Sequence, residues 1–380
     1  MKTIVGCGLS GLATAVALSL KGEEVEILDR SSVFGSKFPE SVHAFRNYSS
    51  SVDERDFIKM RGFSINFLKP IHKIVKIGPS SSPAETYSKD KPLFYATKRG
   101  DVKASLDRQL FEQADGLQVN FRLGEAAIPK EVDVIATGAT FATEMGYGHH
   151  YKGVSVDGDT IIFFLNDDYA PKGYAYAIPY GKDEVSVVTT SFDPSTFNKM
   201  PALFKHLIEK VPVFSGLIDG AEKGPAFAKI GFSYIPDSAK LKEMLIVGEA
   251  AGFSEADRGF GMHYALESGF LAAKALTEKA DYDALWKGAF EGELVKAFKR
   301  RLMLNRIGNA QYDQLINAGT NMSADEYVRY KETQNTSLIK QVLINLHTAN
   351  EIRKLRKKFN IKQLNGRLWV PGAADSINPS

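Results

Sequence analysis

The 380-residue chain has one cysteine, two tryptophans and little excess charge, and each scarcity removes a class of protein. A single thiol, Cys7, forbids an internal disulfide, and without a CxxC pair or a His/Cys cluster at metal spacing no metal site is expected. Such a chain suits a reducing cytoplasm. The formal net charge is +3, and no dense block of Lys and Arg interleaved with aromatics runs through it, which argues against a nucleic-acid partner. Basic residues concentrate only near the end, where Arg353, Lys354, Arg356, Lys357, Lys358, Lys362 and Arg367 face two acids, Glu351 and Asp375. That region is read either as a solvated helix face or as a peripheral contact with an anionic membrane.

Long apolar runs are equally scarce. Only Thr3 to Leu20 stays uncharged long enough to imitate a signal peptide or anchor. It carries glycines at dinucleotide-loop spacing and runs into the charged, strand-like Glu23 to Leu28, so it is read as part of the fold. No other segment approaches a membrane span. At 44% hydrophobic and 24% charged the composition is globular, and the length suggests either two lobes and a terminal appendage or one oversized domain.

Periodicity predicts a strand at Met1 to Val5, a helix at Leu9 to Lys21 and a strand at Val25 to Leu28, which together form a βαβ unit. A helix over Asp53 to Met60 precedes strand-rich stretches at Phe63 to Ile77 and Leu93 to Thr97. Val102, Leu106 and Leu110 place a helix over 102–113, and Val132 to Ala136 reads as a buried strand. Between Gly153 and Ser191, Ile161 to Leu165, Tyr174 to Ile178 and Val185 to Thr190 predict a separate antiparallel sheet. Leu245 to Val247 is a short strand that leads through glycines to a helix at about Met262 to Glu278. From Tyr282 onward the pattern is helical, with an apolar stripe of Leu338, Ile339, Val342, Leu343, Leu346, Ala349, Ile352 and Leu355.

In Val5-Gly6-Cys7-Gly8-Leu9-Ser10-Gly11, the first glycine permits a tight turn, the second lets a pyrophosphate approach the backbone, and the third lets helix pack on strand. The helix N-terminus, including Ser10, offers unpaired N–H groups to phosphates. Asp29, with Arg30 beside it, follows the second strand where an acid accepts a bond from a ribose hydroxyl. Cys7, wedged in the loop, is read as a packing residue. The constellation predicts dinucleotide binding and does not choose between NAD and FAD.

Two further segments bear on that choice. Asp133 to Ala136 is a strand ending in the small-residue turn Thr137-Gly138-Ala139. Leu245-Ile246-Val247-Gly248-Glu249-Ala250-Ala251-Gly252 continues through Asp257-Arg258-Gly259-Phe260-Gly261-Met262 into a helix. Here the chain resembles the FAD-dependent superfamily of aromatic hydroxylases (para-hydroxybenzoate hydroxylase-like), flavin halogenases and geranylgeranyl reductases, which is marked by strand–GDAAG–loop–GxG–helix. The resemblance implies FAD as cofactor. Glu249, where the family usually has Asp, would reach the ribityl chain, and the Gly259 to Met262 backbone would face the isoalloxazine ring. Arg99, before its helix, would contact ribose or pyrophosphate. The loop before Gly259 lacks the family's proline. The resemblance covers Met1 to Leu276.

Gly173-Tyr174-Ala175-Tyr176-Ala177-Ile178-Pro179-Tyr180 is similar to the YxWxFP motif of geranylgeranyl reductases, where it lines an isoprenoid pocket; Tyr176 stands for Trp and Ile178 for Phe. Tyr174, Tyr176, Ile178 and Pro179 are therefore expected at the substrate. An ordinary aromatic strand ending in proline is the competing reading. The cysteine motif of many archaeal geranylgeranyl reductases corresponds to about Phe38-Pro39-Glu40-Ser41 and has no cysteine here. The halogenase WxWxIP motif keeps only Ile178-Pro179. No second GxGxxG follows a strand, so electrons are expected from NAD(P)H, a ferredoxin-like protein or another external donor.

The resemblance thus implies an α/β protein: a discontinuous Rossmann-type FAD-binding domain (1–62, 98–140 and 229–280), an inserted antiparallel β-sheet substrate domain (63–97 and 141–228) and a C-terminal helical region (281–380). It implies an FAD-dependent oxidoreductase that reduces carbon–carbon double bonds of a lipophilic isoprenoid. A monooxygenase or halogenase on the same scaffold, a cyclase needing reduced FAD without net redox change, and a non-redox flavin- or lipid-binding protein stay open. The catalytic acid is unassigned, with Glu40, Ser41, His43 and Tyr176 as candidates. The C-terminal helices either cap the fold or shape a lipid entrance.

Overall fold

A computed structural model describes residues 1–49, 52–125, 132–139, 141–317 and 338–359. Its first lobe is a six-stranded sheet of β1 (Lys2–Val5), β2 (Val25–Asp29), β8 (Asn120–Leu123), β9 (Val134–Ile135), β15 (Lys240–Leu241) and β16 (Met244–Ile246), in the order β15-β16-β9-β1-β2-β8. All neighbours are parallel except the β15–β16 pair. Against it pack α1 (Leu9–Ser19), α3 (Leu106–Gly116) and α6 (Met262–Glu278), completing the predicted Rossmann-type α/β core.

Helix α1 is buried from Leu9 to Leu18, which explains why its sequence is apolar on every face. Its approach to neighbouring backbone depends on glycine. Gly6 turns the chain at φ +107°, and a Cβ there would stand 2.2 Å from the Ala136 carbonyl oxygen. At Gly11 a Cβ would stand 1.9 Å from the Gly6 carbonyl oxygen. Helix α3 begins at Leu106, later than the predicted Val102. Ala104 adopts φ +65°, and the Ser105 hydroxyl accepts the Arg108 N–H at 3.0 Å, so the cap sets the start.

The second lobe is a seven-stranded sheet, β14-β10-β13-β12-β11-β5-β6. It comprises β5 (Lys73–Ile77), β6 (Pro83–Tyr87), β10 (Glu144–Lys152), β11 (Thr160–Phe164), β12 (Ala175–Pro179), β13 (Glu184–Ser191) and β14 (Glu222–Gly231). The three strands expected to form an antiparallel sheet, β11, β12 and β13, pair in that way; the full sheet is mixed, because β11 also runs parallel to β5 while the other neighbours are antiparallel. One face carries α4 (Met200–Lys210) and α5 (Pro212–Leu217) over a core that includes Phe164, Phe204 and Phe214. The other meets a three-stranded antiparallel sheet of β3 (Ser41–Arg46), β4 (Lys69–Ile71) and β7 (Phe94–Arg99) through Val42, Ile74, Phe94, Ile161 and Ile178.

After α2 (Glu54–Met60) in the first lobe, the remaining helices follow α6: α7 (Tyr282–Trp286), α8 (Gly292–Leu304), α9 (Asn309–Asn317) and a last helix, Leu338–Lys358. They are more than a cap, since Tyr282 and Trp286 are fully buried and Phe290 meets Phe253 edge to face at 4.9 Å. The apolar stripe of the last helix is not buried along its length. Leu343 and Leu346 are 60% and 63% exposed, whereas Ile352 is buried. Leu338, Ile339 and Val342 lie outside the described side chains. Arg356 anchors the helix by donating to the carbonyls of Ile235 and Pro236 and pairing with Asp237 at 2.6 Å. That basic residue is thereby engaged by the body of the protein.

Candidate active site

Two cavities meet between the lobes. The smaller, of about 280 Å³, is walled by the β1–α1 turn, the end of β2, the turn after β9 and the start of α6. Gly6, Gly8, Ser10, Asp29, Arg30, Arg99, Thr137, Gly138, Glu249, Gly261 and Met262 all line it, so residues up to 256 positions apart in sequence share one cleft. Gly11 and Gly248 do not line it but make its walls possible. Gly248 has φ +61°, and a Cβ there would stand 2.6 Å from Ser10 Oγ.

The cleft has the properties a dinucleotide requires. At Gly8, unlike Gly6 and Gly11, a Cβ would meet nothing within 4 Å, which leaves the backbone open to a ligand. Helices α1 and α6 both start at the cleft without a side-chain cap, whereas α2 and α3 are capped by Asp53 and Ser105. Two sets of first-turn N–H groups therefore remain to meet negative charge. Asp29 receives Cys7 N–H at 2.6 Å and Ser31 N–H at 2.8 Å, fixing its carboxylate while leaving lone pairs for a hydroxyl. Thr137 Oγ1 is buried on the cleft wall with no hydrogen-bond partner among the described residues. Cys7 is buried, and burial followed by the Asp29 charge pushes its thiol far up, in keeping with a packing role.

Arg99 lines the cleft, but its guanidinium is engaged by Asp107 at 2.7 and 3.1 Å. It is thus a buried arginine paired within the protein, not a cation free of a protein partner. Sequence reasoning missed Lys37 and Lys229, which also line the cleft. Lys229 Nζ stands 3.9 Å from Glu249 and 3.5 Å from the Gly259 carbonyl oxygen.

The larger cavity, of about 450 Å³, shares Gly261, Met262 and Lys229 with the smaller one. One end is aromatic and apolar, with Phe163, Tyr174, Tyr176, Ile178, Val188 and Phe227. Gly259 and Phe260 form part of its wall, and Phe260 packs on Phe94 at 5.8 Å. Pro179 ends β12 paired with Val185 and is not among the lining residues. The other end is charged, with Arg46, Glu54, Glu255, His263, Glu267 and Glu293. Arg46 pairs with the buried Glu255 at 2.5 Å; burial raises the Glu255 pKa, and Arg46 only partly offsets it. Ala289, Phe290 and Glu293 bring the C-terminal region into the wall.

The candidate acids separate. Glu40 does not line the cavity; its carboxylate is held by Lys152 at 2.7 Å, within a network of Lys98, His150 and Glu184. Ser41 Oγ is bonded to His43 Nε2 at 3.1 Å. His43 lines the cavity, but burial and then the Arg99 and Lys229 charges hold its pKa well below 6.5, so it is neutral. Burial raises the Tyr174 and Tyr176 phenols, and Tyr174 is further tied by its hydroxyl to the Arg258 carbonyl. A residue not anticipated from sequence stands beside them. Glu144 is buried in the cavity wall, with Oε2 lacking a partner among the described residues. Burial pushes its pKa up to about 8, Lys229 opposing and Glu249 reinforcing.

The comparisons with known proteins agree with this architecture. No family model matches the chain. Digeranylgeranylglycerophospholipid reductase 2 of Methanothermobacter thermautotrophicus is 23% identical over 179 residues, 44% of this chain and 45% of that protein. Digeranylgeranylglycerophospholipid reductase of Methanosphaerula palustris is 24% identical over 221 residues, 54% of this chain and 53% of that one. The chain thus spans about half the length of the curated relatives it matches. In three dimensions a geranylgeranyl bacteriochlorophyll reductase-like protein of Thermoplasma acidophilum aligns with a TM-score of 0.70 at 15% identity, covering 94% of this chain and 98% of that one. A flavin-dependent brominase aligns at 0.60 and 16% identity, covering 94% and 99%. The chain therefore has the fold of the FAD-dependent superfamily that the sequence resembles. Among the described residues no helix is long and apolar enough to cross a membrane.

Proposed function

We propose that the chain is an FAD-dependent oxidoreductase that reduces carbon–carbon double bonds of an isoprenoid lipid. The observation that carries this reading is the junction of the cavities: a cleft built for a dinucleotide opens, at Gly261, Met262 and Lys229, into an aromatic chamber. Gly8 and the start of α1 would hold the pyrophosphate, Asp29 the ribose, Glu249 the ribityl chain, and the Gly261-Met262 backbone the ring. Reduced flavin, when bound, supplies hydride.

The protein's part is placement and exclusion of water. Phe163, Tyr174, Tyr176, Ile178 and Phe227 offer an apolar surface on which a prenyl chain loses its hydration shell. The open N-terminus of α6 favours negative charge at the ring edge it would face. The names of the curated relatives support a lipid substrate, and the brominase likeness supports only the shared scaffold. Electrons come from an external donor, NAD(P)H or a ferredoxin-like protein.

The test is anaerobic mixing of the photoreduced, FAD-loaded protein with a geranylgeranyl lipid. Stoichiometric reoxidation with a saturated product is expected. Reaction only after oxygen is admitted would establish the monooxygenase or halogenase reading instead, and reduced flavin persisting in both cases would overturn the redox readings.

A further inference from the structure

We propose that Glu144 is the acid that protonates the substrate in the larger cavity, an inference that rests on the reductase reading above. Glu144 opens β10 and pairs across the ladder with Gly231 of β14. Its side chain is threaded between two glycines: a Cβ at Gly231 would stand 2.0 Å from Glu144 Oε1, and one at Gly259 2.8 Å from it. Any larger residue at either position would displace the carboxyl. The group is thereby fixed beside the Gly259 to Met262 segment, which walls the chamber together with Tyr174 and Tyr176.

The surroundings favour the neutral acid. Facing Glu144 are Lys229 from β14, Glu249 from the turn after β16, Asp257 from the loop before α6, Arg301 from α8 and the phenols of Tyr176 in β12 and of Tyr174 just before it. The cations are drawn elsewhere. Lys229 is shared with Glu249 and the Gly259 carbonyl; Arg301 donates through Nε to Asn305 at 2.8 Å and lies over the Phe192 ring, its Nη2 without a hydrogen-bond partner among the described residues, and neither forms an ion pair with Glu144. A buried carboxyl with an unpartnered oxygen and no ion pair of its own retains its proton at neutral pH, and a proton-transfer group is most effective when its pKa lies near the working pH.

In the step, the Glu144 O–H bond breaks and a C–H bond forms at one alkene carbon. The neighbouring carbon receives hydride, with its electron pair, from a two-electron-reduced flavin, which is thereby oxidised. The carboxylate left behind recovers its proton from water once the saturated product leaves. Tyr176 is the competing donor on the same wall.

Glu144→Gln is isosteric with the protonated acid, so it should fold and take up FAD as the wild type does. On the FAD-loaded protein, infrared difference spectra between pH 6 and 9.5 should show a carboxylic-acid carbonyl band lost with a midpoint near pH 8 and absent from Glu144→Gln. Single-turnover alkene reduction should fall about 100-fold or more in that variant. Its rate should no longer decline through pH 8, whereas Tyr176→Phe keeps the wild-type pH profile. An ionised Glu144 at pH 6, or a Glu144→Gln enzyme with wild-type rate and profile, would overturn the proposal, as would loss of the pH dependence in Tyr176→Phe alone. Failure of the wild type to reduce any prenyl lipid sinks the reductase reading, and this assignment with it, whatever the infrared band shows.

Discussion

The guanidinium of Arg99 lies against the carboxylate of Asp107 in a two-bond fork, Nε to Oδ2 at 2.7 Å and Nη2 to Oδ1 at 3.1 Å, at the edge of the smaller cavity. Both side chains are buried, and Asp107 also receives the Gly100 N–H at 3.0 Å. The pair ties the end of β7 to the first turn of α3, so Arg99 shapes the cleft as well as bordering it. Arg99→Ala leaves a buried carboxylate without its cation and should destabilise the protein by about 3–5 kcal/mol. Arg99→Leu combined with Asp107→Leu should recover most of that loss. Urea unfolding of the three proteins checks both statements.

Gly8, the N-cap of α1, and Gly11, in its first turn, lie three residues apart and should respond oppositely. Gly8 has φ −88° and open space at its Cβ position, so Gly8→Val should leave the melting temperature within about 2 °C while lowering FAD uptake at least tenfold. Gly11→Ala collides with the Gly6 carbonyl and should lower the melting temperature itself. Calorimetry beside a flavin-binding titration separates the two effects.

Glu144 also makes stability depend on pH. Its native value of about 8 lies above the ordinary 4.5, so between those values the folded state holds a proton that the unfolded chain has released. Its contribution is therefore unfavourable above pH 4.5, and stability declines by up to about 1.4 kcal/mol per pH unit until pH 8. Glu144→Gln should flatten that part of the curve and be more stable than wild type at pH 7.5. Denaturant midpoints at several pH values measure it.

His263, at the charged end of the cavity, gives a dependence of the same sign in a window that begins at a higher pH. Burial disfavours its cation, but the Glu54 carboxylate 2.9 Å away prevails and holds the pKa above 6.5. The pair adds stability that is complete below pH 6.5 and disappears as pH rises through the raised value. Glu54→Gln should bring the imidazole midpoint down, as followed by NMR of the ring protons.

The C-terminal helices should prove integral to the fold. Trp286 is fully buried, packs on Phe253 and donates its indole N–H to Asp283 at 2.8 Å. Trp286→Ala should cost about 3–5 kcal/mol in unfolding free energy. A peripheral cap would show almost none of that loss.

The sequence by itself determined the βαβ start of the first lobe. Gly6, Gly8, Gly11 and Asp29 act through local geometry, and a tight turn, an open helix start and a strand-end acid are properties of consecutive residues. The start of α6 at Met262 was legible for the same reason. Hidden from sequence were β10 and β14. Buried along almost all of its length, β10 shows no polar alternation and carries Gly146, Gly148, His149 and His150; β14 contains Pro225, tolerable because it is an edge strand. Those two strands carry Glu144 and Lys229. Only the tertiary structure decided their importance, because burial and the company of charged groups from the turn at Gly248, the loop before α6 and α8 exist only after distant segments pack. It decided likewise that Arg99 is paired, that Glu40 belongs to a lysine network, and that Leu343 and Leu346 face outward, since a side chain's partner is fixed by packing and not by spacing along the chain.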